Sequence, residues 1–139
     1  MAADVSFTTL EPVEGERFKT IRRELGAESF GINVIVLQPR ERGRIHDHEH
    51  QEEVYVVLEG ELTLGVEGEE HRVGRWNAAR VPSGVRRQLV NRSGERLVLL
   101  ALGASGEHVG RDGHAWEDWS EGGPGRSPQE VPMPENLPE

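Results

Sequence analysis

Five short segments between residues 30 and 103 place apolar side chains at every second position: FGINVIVL (30–37), EVYVVLEG (53–60), ELTLGV (61–66), VRRQLVN (85–91) and RLVLLALG (96–103). Successive Cβ atoms of a strand point to opposite faces, so this period marks extended backbone with one face turned to a core. Turn signals separate the segments at short intervals: Glu59-Gly60, Glu67-Gly68, Pro82-Ser83-Gly84 and Ser93-Gly94. Glycine supplies positive φ and proline presets a turn, so both mark chain reversals. No long stretch in this region repeats its apolar residues at 3.6. The pattern predicts an all-β sandwich or barrel whose consecutive strands pair antiparallel.

At 139 residues the chain suits one domain with one sizeable core. Three parts are expected: an N-terminal flank (1–29), the barrel (30–104) and a tail (105–139). In the flank, SFTTL (6–10) and RFKTIRREL (17–25) each offer an edge strand or a short helix. The tail holds five of the eight prolines, which remove ladder donors, so it is expected to be irregular, either disordered or an extended strap. Two of the three tryptophans lie in HAWEDW (114–119) and favour a strap, because they need a surface to bury them. His108, Arg111, Asp112 and His114 read as a solvated polar cluster.

Charge and composition exclude several functions. Sixteen Lys and Arg against 25 Asp and Glu give a formal charge of −9, which repels phosphate backbones and anionic lipid. Neither nucleic acid nor membrane is expected as a partner. The opening MAADVSFTTLEP lacks a basic segment followed by an apolar run, and no apolar stretch is long enough to cross a bilayer, so a cytoplasmic location is expected. With no cysteine, any metal must rest on histidine and carboxylate. No Ser-His-Asp arrangement or phosphate loop is visible.

The segment G43-R-I-H-D-H-E-H-Q-E-E-V-Y-V-V-L-E-G60 carries the chemistry. Residues two apart in a strand face the same way, so His46 and His48 present both imidazoles to one side. Glu53 begins the next strand and shares a face with Tyr55 and Val57. Two histidines and one carboxylate make a facial triad with positions left for water or a ligand. The competing reading is a histidine-rich surface loop, with His50 or Glu52 taking the inward place if the register slips. Tyr55, Leu62, Leu64, Val66, Leu97, Leu99 and Phe30 read as core filling or cavity wall, and Trp76 as a residue of the cavity mouth.

At these positions the sequence resembles the cupin superfamily. His46, His48, Glu53 and Gly60 match its first motif in type and spacing, and Pro82, Gly84 and Asn91 match its second. The resemblance implies a double-stranded β-helix, or jelly-roll, barrel and a divalent metal (Fe, Ni, Zn or Mn) on His46, His48 and Glu53. It also implies a homodimer formed through edge strands or exchanged termini. Two positions depart from the family pattern: Arg87 stands where the last metal-binding histidine belongs, and Trp76 stands at the spacing of a glycine.

Arg87 has its own reading. Val85, Arg87 and Leu89 alternate on the more apolar face of their strand, so Arg87 points inward. A guanidinium has no acceptor and stays charged, so it cannot ligate a metal. Three arrangements compete: a metal on three protein ligands, a metal-free cavity in which Arg87 pairs with Glu53, or Arg87 turned out to solvent. Two functions follow: a module that binds a small, anionic molecule with Arg87, Tyr55 and Trp76 in contact, or a metal-dependent dioxygenase, isomerase or decarboxylase. No catalytic residue is assigned.

Overall fold

The computed structural model describes residues 4–103 and 113–138. Among these residues, ten strands form two five-stranded antiparallel sheets: β1 Phe18–Thr20, β2 Gly31–Leu37, β3 Ile45–His48, β4 Glu53–Glu59, β5 Leu62–Val66, β6 Glu69–Val73, β7 Ala78–Val81, β8 Arg87–Val90, β9 Leu97–Gly103 and β10 Gly113–Trp116. The first sheet runs β1-β2-β9-β4-β7 and the second β10-β3-β8-β5-β6. The expected jelly-roll barrel is what the chain forms. One short helix, α1 (Ile21–Leu25), follows β1, so the N-terminal flank supplies both an edge strand and a helix.

The alternation read from the sequence sets the core. Leu37, Tyr55, Val57, Leu62, Leu64, Leu97 and Leu99 meet between the sheets, each at most 3% exposed. A second cluster, Ile21, Val34, Val36 and Val98, lies on the outer face of the first sheet under α1. Phe30 does not join the core: it precedes β2 and is 44% exposed. Strand β6 carried no sequence signal because four of its five residues are exposed and leave no apolar alternation. Gly60 turns β4 into β5 at φ 78°, and a Cβ there would stand 2.4 Å from the Arg96 carbonyl oxygen, so only glycine fits.

From residue 113 to 138 the tail is a strap, with more regularity than its proline content suggests. Gly113–Trp116 pairs along the whole of β3, with Ala115 opposite His46 and Trp116 opposite Ile45. Beyond it the backbone is held at isolated points, a bridge between Ala115 and Arg126 and the Leu137 N–H on the Arg40 carbonyl, and arginine side chains bond further carbonyl oxygens. Arg44 Nε donates to the Val131 carbonyl (2.7 Å), Arg42 Nε to Glu135 (2.8 Å) and Arg86 to Glu121 (2.6 Å). Trp116 is buried with the Arg86 guanidinium 3.8 Å from its ring centre, and Trp119 packs against Gly65. Of the polar cluster in the tail, His108, Arg111 and Asp112 lie outside the described residues. His114 pairs with Asp47 at 3.2 Å.

Candidate metal centre and cavity

Strand β3 delivers the histidines. The chain leaves β2 through a turn, is fixed by the Gly43 N–H bonding to the Leu89 carbonyl (2.8 Å), and enters β3 with Arg44, His46 and His48 on the inward face. His50 falls in the following loop, its side chain 71% exposed, and Glu52 turns outward to pair with Arg80 at 2.5 Å. The register is therefore the one expected. Glu53 faces inward from the first residue of β4, held there by pairing with both Val81 of β7 and Gly103 of β9.

These three residues converge. The His46 and His48 Nε2 atoms lie 3.8 and 3.6 Å from Glu53 Oε1, and the two imidazoles meet edge to face with centres 5.3 Å apart. One donor atom from each falls within 4.8 Å of the others, so the set can close on a single cation. The Arg44 carbonyl lies 3.0 Å from His46 Nδ1. With Nδ1 held at that carbonyl, the ring turns Nε2 toward Glu53, the edge from which an imidazole would ligate a metal. The donor chemistry, two imidazoles and one carboxylate, thus fits a divalent ion bound by three protein ligands.

Arg87 occupies the fourth position. It lies opposite His46 in the β3–β8 pairing, is fully buried, and brings Nε to 3.9 Å from Glu53 Oε1. One η nitrogen reaches the Val81 carbonyl at 3.4 Å, while Nε and the other η nitrogen have no hydrogen-bond partner. Arg87 is inward as the alternation predicts, yet it does not line the cavity: it lies behind Glu53 and Tyr55, within the core. Of the three arrangements open at the sequence level, Arg87 turned out to solvent is overturned, since the side chain is buried and faces Glu53.

The electrostatics centre on Glu53. Burial raises its pKa, but bonding and attraction to His46 and His48 outweigh that and hold it well below the usual carboxylate range. Tyr55 donates its hydroxyl to Glu53 Oε1. Its own pKa is pushed well above 10 by burial and by the Glu53 charge, partly offset by Arg87, so it remains a phenol at neutral pH.

In front of the triad lies a cavity of about 440 Å³, within the size range of small-molecule sites. It is a slot between the β1–β2 edge of one sheet and the β3–β10 edge of the other, with Ile35, Leu37, Leu89 and Met133 among its walls. Tyr55 lines it as expected. Trp76 does not: it stands in the turn between β6 and β7, 72% exposed, at φ 69°. That left-handed conformation favours glycine, which accounts for the residue type the family pattern carries there. Sequence reasoning passed over Arg44, although Arg44-x-His46-x-His48 continues the same alternation. It also passed over Pro128 and Met133, which reach the slot from the strap and carry no periodic signal.

Comparison with known proteins gives the family and the fold. No curated protein matches. Among solved structures, a sugar phosphate isomerase of the cupin superfamily from Silicibacter pomeroyi is 25% identical, with a TM-score of 0.63 over 71% of this chain and 64% of that one. The chain thus spans less than two thirds of that protein. A Thermus thermophilus protein is 27% identical with a TM-score of 0.60, over 68% of this chain and 90% of that one. A cupin from Bacteroides fragilis is 15% identical with a TM-score of 0.65, over 75% and 86%. The cupin-domain family matches residues 33–103, from β2 through β9, and the chain belongs to that family.

Proposed function

We propose that this protein binds a small organic molecule in the slot between its sheets, and that His46, His48 and Glu53 hold a divalent cation there only weakly. The observation that carries this reading is Arg87, fully buried and 3.9 Å from Glu53 Oε1 where the family pattern has a histidine. A fixed guanidinium opposes a second cation and neutralises the carboxylate that would attract it. A cation held by the triad would supply Lewis acidity toward a ligand oxygen. The protein's own contributions are the apolar walls that desolvate the ligand, the His46 ring held at the Arg44 carbonyl, and the Tyr55 hydroxyl on Glu53.

Titration of tag-free, chelator-stripped protein with Ni²⁺ or Zn²⁺ tests the reading. One site of micromolar or weaker affinity, lost in His48→Ala, is expected; nanomolar affinity for the parent would overturn it. A second reading, a metal-dependent isomerase, is favoured by the 25% identity to the Silicibacter pomeroyi protein. Aldose phosphate turnover by metal-loaded protein that stops on chelation would support it.

A further inference from the structure

We infer that the ligand of the slot is an organic anion, and that Arg44 meets its charged group. This rests on the slot being a ligand site at all, and names the chemistry it would take.

An unmatched charge points to that chemistry. Three arginines bear on the slot and its floor, and two of them face a carboxylate. Arg17 pairs with Glu41 at 3.1 Å, and Arg87 faces Glu53 at 3.9 Å. Arg44 has no carboxylate within ion-pair reach among the described residues; Nε alone is engaged, by the Val131 carbonyl. The Val131 carbonyl meets one Arg44 donor and cancels no charge, so the rest of the fork stays available to a ligand. The protein as a whole carries −9, which makes a slot-lining guanidinium with no carboxylate partner among the described residues a local exception.

Position adds to charge. Arg44 precedes His46 by two residues on the same inward face, which places it roughly 7 Å along the strand from the triad. Between and across from these polar points the walls are apolar: Ile35 and Leu37 of β2, Leu89 of β8 and Met133 of the strap. A ligand that satisfies both has an apolar body and a terminal carboxylate or similar acid. Partial desolvation by these walls strengthens a charge-assisted, two-point contact to the guanidinium.

Octanoate and 1-octanol, of equal chain length and different charge, are the probes. Isothermal titration of the full chain at low ionic strength should show octanoate binding at least tenfold tighter than octanol. Arg44→Gln should erase that ratio while octanol affinity stays within about twofold, which also shows that the slot has kept its shape. Arg44→Lys should retain most of the ratio. Arg42→Gln loses the equivalent strap bond to Glu135 but carries no charge in the slot, and should leave the ratio unchanged. Equal affinities in the parent, or a ratio that survives Arg44→Gln or falls in Arg42→Gln, would overturn the inference and leave the slot a ligand site. Binding of neither probe would overturn both.

Discussion

Replacing Arg87 with His tests the electrostatic argument with one substitution. A cation bound to Glu53 Oε1 at about 2.1 Å lies at most roughly 6 Å from Arg87 Nε, because that nitrogen is 3.9 Å from the same oxygen. At 6 Å a divalent ion and a guanidinium repel by about 5.5 kcal/mol at an effective dielectric constant near 20, and by about 1.4 kcal/mol in bulk water. Arg87 is fully buried, so the larger figure is the better guide. Arg87→His removes the repulsion and places an imidazole on β8 opposite His46, where it can complete a four-ligand set. Ni²⁺ or Zn²⁺ affinity, read by competition with a fluorescent chelator, should rise at least 100-fold, and His48→Ala in the same background should abolish the gain. The two arginine nitrogens without partners make its loss tolerable to the core, so circular dichroism should report an intact fold. Parent and variant affinities within threefold of each other would refute the reasoning.

Other consequences follow from the same geometry. Glu53→Gln leaves the buried Arg87 without its carboxylate and should cost about 3 kcal/mol in urea unfolding; a loss under 1 kcal/mol would mean the charge is met elsewhere. Because the Glu53 pKa is depressed in the folded protein, its contribution is fully present above the unfolded carboxylate range and is lost as pH falls through the folded value. Metal-free parent protein should therefore lose stability below about pH 4.5, with a shallower acid limb in Glu53→Gln. Gly60→Ala should destabilise by at least ~2 kcal/mol in thermal unfolding, since it combines positive φ with a 2.4 Å clash on Arg96. We also propose a homodimer, because Val5, Phe7 and Phe18 are 68%, 86% and 54% exposed on one end of the chain; light scattering giving the 15.5 kDa monomer mass would remove this expectation.

What the sequence made legible was whatever local periodicity encodes. Strands β2, β4, β5, β8 and β9 each turn alternate apolar residues to the core between the sheets, so alternation reveals them, and the inward direction of Arg87 follows from its place between Val85 and Leu89. His46, His48 and Glu53 were legible because two strands and their turn bring them together over only eight residues. Strand β6 escaped because it is exposed on both faces. The two tryptophans hinted at a strap, but how it is held was not legible, because that depends on Arg42, Arg44 and Arg86 reaching carbonyls 35 to 93 residues away, a pairing with no local pattern. Trp76 misled because an aromatic residue in a β-barrel suggests a wall, whereas here a turn conformation holds it in solvent. Arg44 could have been found, since the alternation that selects His46 and His48 includes it.

The most direct test of the site is where a cation binds. Mn²⁺ titrated into isotopically labelled, tag-free protein should broaden the backbone amide signals of His46, His48, Glu53 and Arg87 first, as expected of an ion held inside the barrel by the three converging side chains. Early broadening centred on Glu49, His50 and Glu52, with His46 and His48 unaffected, would place the cation on the outer loop and contradict the account.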